Sequence, residues 1–171
     1  MTSYKFVLSN AYHHCVSCLK TQKLPSDRAP RLACADMVPQ HGFDAQTSAS
    51  PFVTTPASTA ISQGSTLTLT LAPAGASGAF KGYLLMGFDN ANQAAGPIGT
   101  FSAIRDGQTL DCPGVNLMNA ATHINNANKT SFTVDWTAPA GFVGSVLFKT
   151  TYVEKVDVFW EATPSSLVTL A

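Results

Sequence analysis

The stretch STLTLTLAP, residues 65–73, alternates strictly between threonine and leucine. Successive side chains of a β-strand point to opposite faces, so Leu67, Leu69 and Leu71 share one face while the threonines share the other. This pattern predicts a half-buried strand whose leucine face packs on a core. It also requires other strands to cover that face.

Six further strand signals follow, bounded by turn-forming residues. FKGYLLMGFD is apolar on both faces, which predicts a central strand with little exposure. The other five are GPIGTFSAI, SFTVDWTAP, GSVLFKTTYV, VDVFWEA and the closing strand SSLVTLA. Their alternation is expected to place these side chains inside: Phe132, Val134, Trp136, Val146, Phe148, Val158 and Trp160.

Helical signals are weak by comparison. No segment carries a long apolar stripe at the helical period, and the asparagines of GVNLMNAATHINNANK favour a loop. Short strands joined by Gly, Pro and Asn turns are typical of an antiparallel β-sandwich. Residues 1–33 show no clear period and are interrupted by Pro25 and Pro30.

The composition of the chain argues against two classes of protein and favours a third. Charged residues make up 12% of the chain, and ten acidic residues balance ten basic residues. A neutral chain argues against a nucleic-acid-binding protein, which needs a basic face. No apolar run is long enough to span a membrane. Low charge with abundant Thr, Ser, Ala, Gly and Pro is typical of extracellular β domains.

Signals for secretion conflict. The apolar stretch FVL near the N-terminus is interrupted by polar residues, so a signal peptide is not clearly present. The four cysteines allow three complete pairings. Asn128 begins the sequon NKT and would accept a glycan if the chain enters the secretory route.

The stretch AYHHCVSCLK, residues 11–20, combines possible metal ligands. His13, His14, Cys15 and Cys18 could bind zinc, but adjacent residues of an extended chain point opposite ways and no second CxxC is present. A thioredoxin-like redox site needs a βαβ pattern that this chain lacks. We expect a tail in which the two cysteines are free or bridged locally.

No catalytic motif accompanies these features. The sequence contains no Gly-x-Ser-x-Gly turn, HExxH spacing, calcium loop or glycine-rich phosphate loop. His41 and His123 are expected to be ordinary loop histidines. We therefore expect a protein that is not an enzyme, needs no cofactor and acts through its surface.

Five stretches together resemble the reeler domain family: ACADMVPQHG, FKGYLLM, DGQTLDCPGV, ATHINNANKTSFTVDWTAPAGFVGSVLFKTTYV and VFW. The family occurs in reelin, in F-spondin, in ferric-chelate-reductase-like proteins and as free-standing insect defence proteins. The resemblance implies an immunoglobulin-like antiparallel β-sandwich for residues 25–171. Residues 1–24 would then be an N-terminal tail or an altered leader.

The resemblance also implies roles for particular residues. Cys34 in ACADM and Cys112 in LDCPG occupy the family's disulfide positions, and such a bridge would stabilise the fold by about 2–5 kcal/mol. The remaining matches are expected to be structural: Trp136, Pro139, Gly141, Phe159 and Trp160.

The chain most resembles the free-standing branch, because the match reaches its last residue. This implies a secreted protein of innate defence that recognises microbial surface glycans or lipids, with antibacterial action as a further expectation. Amide side chains hydrogen-bond sugar hydroxyls, so two amide-rich loops are candidate ligand contacts. Their residues are Asn90, Asn92, Gln93, Asn125 and Asn126.

The alternative is an extracellular-matrix or adhesive module that binds glycosaminoglycan-like polysaccharide. Basic side chains would supply salt-sensitive contacts to such a polyanion. The candidates are Lys81, Arg105, Lys129 and Lys149.

Overall fold

The computed structural model describes residues 27–171, which form an all-β sandwich of ten strands. Two short 3-10 helices, Arg31–Cys34 and Gln93–Ala95, accompany the strands. The strands are β1 Phe52–Pro56, β2 Ala60–Ile61, β3 Thr66–Pro73, β4 Gly82–Asp89, β5 Thr100–Ser102, β6 Gly107–Leu110, β7 Ala120–His123, β8 Phe132–Thr137, β9 Gly144–Lys155 and β10 Val158–Leu170.

The strands divide into two sheets. One sheet has four strands in the order β1-β3-β8-β5, and the other has six in the order β2-β10-β9-β4-β7-β6. Neighbouring strands pair antiparallel, except that the two-residue β2 runs parallel to β10. The predicted antiparallel sandwich is confirmed.

The alternating stretches form the inner faces of this sandwich. Leu67, Leu69 and Leu71 of β3 are at most 3% exposed, as their alternation predicts. They lie in register with β8, where Leu67 pairs with Trp136 and Leu69 with Val134. The predicted central strand is β4, which lies between β9 and β7 and is buried along seven of its eight residues.

Aromatic side chains fill much of the space between the sheets. The rings of Phe52, Phe80 and Tyr152 contact one another with centroids 5.0–5.4 Å apart. Beside them, the Thr54 hydroxyl of β1 lies 2.6 Å from the hydroxyls of both Thr150 and Tyr152 on β9. These buried hydrogen bonds tie one sheet to the other and fix their relative position.

The end of the chain differs from the prediction. VDVFWEA and SSLVTLA were expected to be separate strands, but both belong to the single strand β10. Register shifts between Trp160 and Thr163 and between Pro164 and Leu167 absorb the irregular sequence without a turn. Since β2 pairs only with Thr169 and Leu170, Pro164 lies in a part of β10 that pairs with β9 alone, and proline is tolerated at such edges.

Four strands were not predicted: β1, β2, β6 and β7. The strand β7 lies inside the stretch that was expected to be a loop. Its residues Ala120, Ala121 and Thr122 are fully buried and pair with β4. Small side chains give little periodic signal, so packing against β4 decides their conformation.

The outer face of the six-stranded sheet carries a second apolar layer. Ala29, Ala33 and Met37 of residues 27–41, which we call the N-terminal segment, are buried. They cluster with sheet residues Leu84, Met86, Phe88, Leu110 and Ala120. Residues 27–33 show no sequence period, yet Ala29 and Ala33 are buried because the sheet supplies an apolar surface.

Candidate ligand-binding cleft

A cleft of about 620 Å³ lies between the N-terminal segment and the outer face of the six-stranded sheet. Its walls come from the N-terminal segment, the beginning of β4, the residues that follow β7 and the end of β9. This volume falls in the range of small-ligand sites in proteins, which is about 300–1,000 Å³. The cleft is therefore large enough to hold one or two sugar units.

Hydrogen bonds hold the N-terminal segment over the sheet. The Ala29 N–H donates to the Thr122 hydroxyl at 2.9 Å, and the Thr151 hydroxyl donates to the Met37 carbonyl at 2.6 Å. Both threonines are buried, so these bonds do not compete with bulk water.

The disulfide between Cys34 and Cys112 adds a covalent attachment, with the two Cα atoms 5.4 Å apart. It joins the short helix Arg31–Cys34 of the N-terminal segment to the residues that follow β6. The cleft wall is thus fixed at several points along its length.

Two histidines line the cleft, which the sequence analysis did not anticipate. Nδ1 of His123 lies within hydrogen-bond distance of both the N–H and the carbonyl oxygen of Tyr83, at 3.2 and 3.3 Å. Burial lowers the pKa of His123 from its ordinary value, and the nearby charge of Lys129 acts in the same direction. The ring is therefore neutral at pH 7.

His41 reaches the cleft from the N-terminal segment. Its Nδ1 lies 3.0 Å from the Val156 carbonyl oxygen, which can only accept, so Nδ1 is the donor. Its ring meets Phe159 edge to face with centroids 6.3 Å apart. No spacing in the sequence could have paired His41 with His123, because the two line one cleft only where the N-terminal segment crosses the sheet.

The structure corrects the expectation for Lys129. Its side chain is 5% exposed, and Nζ donates to the carbonyl oxygens of Lys81, Asn125 and Ala127 at 2.9 Å each. Burial lowers the pKa of this ammonium group. An amine enclosed in this way is a structural element that ties β7, β8 and β4 together and is not a contact for a polymer.

Replacing Lys129 with methionine is expected to lower the unfolding free energy by about 2–3 kcal/mol, because three carbonyls lose their donor. Thermal and urea unfolding would measure the loss. Lys81→Met is the matched control, since Lys81 is exposed and its removal should change stability by less than about 0.5 kcal/mol. Equal losses in the two variants would contradict the structural role of Lys129.

The two amide-rich loops lie at opposite ends of the sandwich. Asn90, Asn92 and Gln93 follow the end of β4, whereas Asn125 and Asn126 follow the end of β7. Because β4 and β7 are antiparallel, these ends are far apart and the loops do not form one surface. Asn126 alone among them lines the cleft described here.

Asn125 and Asn128 have different surroundings. The Asn125 side-chain oxygen accepts hydrogen bonds from the Ala127 N–H and from Lys129 Nζ, so it holds the local turn. Asn128 is exposed, and its glycosylation stays a prediction.

Metal binding has no support among the described residues. Within residues 27–171, no three His, Cys, Asp or Glu side chains are grouped to hold a metal ion. The zinc ligands considered in the sequence, His13, His14, Cys15 and Cys18, lie outside the described residues. In the described part of the chain, no helix has the length and apolar character needed to cross a membrane.

A family model described as the reeler domain matches residues 32–171. The chain belongs to the reeler domain family. The resemblance inferred from the five sequence stretches is confirmed. The Cys34–Cys112 bridge joins the two positions that the resemblance implied for this reeler domain.

Two relatives place this reeler domain among proteins of different length. The defense protein l(2)34Fc of Drosophila melanogaster is 34% identical over 140 residues, which cover 79% of this chain and 82% of that protein. Ferric-chelate reductase 1 of Mus musculus is 30% identical over 146 residues, which cover 84% of this chain and 24% of the reductase. The reductase name therefore describes a much longer protein.

A solved structure shares the fold. The crystal structure of the human F-spondin reeler domain matches with a TM-score of 0.60 at 20% identity, over 75% of this chain and 94% of that chain. At this level of identity the likeness shows the β-sandwich of the reeler domain and nothing about its ligands.

Proposed function

We propose that this reeler domain is an extracellular protein of innate defence that binds surface components of microbes. The observation that carries the proposal is the cleft, because the N-terminal segment is bonded to the sheet so that it forms one wall of a ligand-sized site. The similarity to the insect defence protein over most of its length supports the choice of defence. The role requires binding and no cofactor.

Two features support a place outside the cytosol. Disulfides persist in oxidising environments and are rare in the cytosol, and this chain has the Cys34–Cys112 bridge. The sequon residue Asn128 is exposed and could accept a glycan. Both features suit a secreted protein.

The adhesive alternative is less well supported. Of its four basic residues, Lys129 is buried and so cannot contact a polymer, and Nζ of Lys149 lies 5.5 Å from the centroid of the Phe88 ring. Of the four, Lys81 alone lines the cleft. A polyanion such as heparin needs several exposed cations along one face.

The proposal predicts that the protein sediments with bacterial or fungal cells and binds at least one purified surface polymer at micromolar concentration. The polymers are lipopolysaccharide, lipoteichoic acid and β-glucan, with heat-denatured protein as the control for non-specific adhesion. Binding to none of these would remove the proposal. Retention on a heparin column to high salt would instead favour the adhesive alternative.

A further inference from the structure

The cleft carries more positive than negative charge. Three basic residues line it: Arg28 of the N-terminal segment, Lys81 just before β4 and Lys155 at the end of β9. Among the described residues that line the cleft, Glu154 is the one carboxylate. Because the whole chain is neutral, this local excess of cations is a property of the cleft and not of the surface in general.

The neighbouring carboxylate of Asp27 reduces this excess but does not remove it, because three cations then face two carboxylates. Nε of Arg28 lies 3.9 Å from a carboxylate oxygen of Asp27, but the two side chains are 50% and 52% exposed. Exposed ion pairs of this kind contribute little to the stability of a protein, so the two side chains are not held together. Arg28 therefore keeps most of its guanidinium donors for a ligand.

Two imidazole rings lie beside the cations. His41 and His123 each use Nδ1 for a backbone contact, to Val156 and Tyr83 respectively. Those contacts fix the rings and do not require Nε2 of either histidine. The ring orientations therefore do not depend on a ligand, which lowers the ordering cost of binding.

We infer that this cleft binds a phosphate group carried by a sugar or polyol. One cation satisfies a carboxylate, whereas a phosphate has several oxygens that accept from donors on different sides. The three cations of the cleft come from three parts of the chain, which suits a phosphate better than a carboxylate. The remaining volume and the amides Gln40 and Asn126 suit the attached hydroxyl-bearing group.

This inference deepens the proposed function, since it names the site and the ligand group that a microbial polymer would present. Lipoteichoic acid is such a polymer, because its repeating unit is a polyol phosphate. The inference rests on the proposed function only for the choice of polymer.

The test measures the affinity of the whole chain for glycerol 3-phosphate and for lipoteichoic acid by titration calorimetry. The double variant Lys81→Gln/Lys155→Gln is compared with Arg105→Gln/Lys149→Gln, which removes the same charge outside the cleft. The first is expected to weaken binding of both probes by about tenfold or more, and the second by less than about twofold. Binding to wild type should also weaken as salt is raised.

The outcomes distinguish a failure of the phosphate site in the cleft from a failure of the proposed binding to microbes. If lipoteichoic acid binds but both double variants weaken it equally, the cleft is not the site, although microbial binding stands. If glycerol 3-phosphate binds in the cleft but no microbial polymer does, the inference stands and the proposed function fails. If neither probe binds wild type, the inference is overturned. Melting temperatures within a few degrees of wild type show that both variants are folded.

Discussion

Replacing Cys34 and Cys112 together by alanine is expected to lower the unfolding free energy by about 2–5 kcal/mol. The bridge spans 78 positions, so its loss frees a long loop in the unfolded chain. For a chain of this size that corresponds to a fall in Tm on the order of 10 °C. Thermal unfolding followed by circular dichroism measures it.

A reducing agent provides the control for this prediction. Reductant should lower the Tm of wild type by a similar amount and leave the double alanine variant unchanged, since the bridge is already absent. If reductant has no effect on wild type, the bridge does not form in the protein or does not stabilise it. A further fall in the variant would show that Cys15 or Cys18 takes part in another stabilising bridge.

The bridge also bears on the cleft, because it holds the wall to which Arg28 and His41 belong. Met37 and Ala29 keep their own hydrogen bonds to the sheet without it. The N-terminal segment is therefore expected to stay docked at low temperature in the alanine variant. The free energy of unfolding would then fall by more than the free energy of ligand binding.

Replacing Trp136 by alanine is expected to cost about 3–5 kcal/mol, because the largest side chain of the core would leave a cavity. Trp136 is fully buried and packs edge to face on Phe148 with ring centroids 5.0 Å apart. Gly99 has φ +71°, and a Cβ at this position would collide with the Trp136 ring. Gly99 therefore has no side chain that could move in to fill the space.

Trp136→Phe keeps the effect measurable if the alanine variant does not fold. Trp136 Nε1 donates to the Ile98 carbonyl at 3.0 Å, and phenylalanine cannot. The loss should be about 1–3 kcal/mol by urea unfolding. Trp160→Phe is the control: its Nε1 donates to the exposed Ser48 hydroxyl, which water can satisfy. Equal losses would contradict the role given to the Ile98 bond.

The inner faces of the sandwich could be predicted because burial follows the two-residue period of a strand. Leu69, Val134 and Phe148 are fully buried, as their alternation requires. The strand β7 was missed for the opposite reason, since Ala120 and Ala121 are too small to mark a face. The sequence could not show that β10 is continuous either, because its bulges look like turns.

The candidate site was largely beyond prediction. Lys81, Asn126, His41 and His123 are separate candidates in the sequence, and no pattern there places them in one cleft. Lys129 was expected at the surface, although three backbone carbonyls enclose that ammonium group. Backbone carbonyls have no sequence signature, so a buried lysine and an exposed lysine look the same in the sequence.

The sequence by itself determined the class of fold, the inward residues of the main strands and the family, because these depend on local periodicity and on motifs in a fixed order. The tertiary structure alone decided where the candidate cleft lies. The cleft exists because the N-terminal segment crosses the outer face of the six-stranded sheet and is held there by a disulfide and by hydrogen bonds to Thr122 and Thr151. Contacts between residues about a hundred positions apart have no local pattern, so only the folded chain brings Arg28, Lys81 and Lys155 to one site.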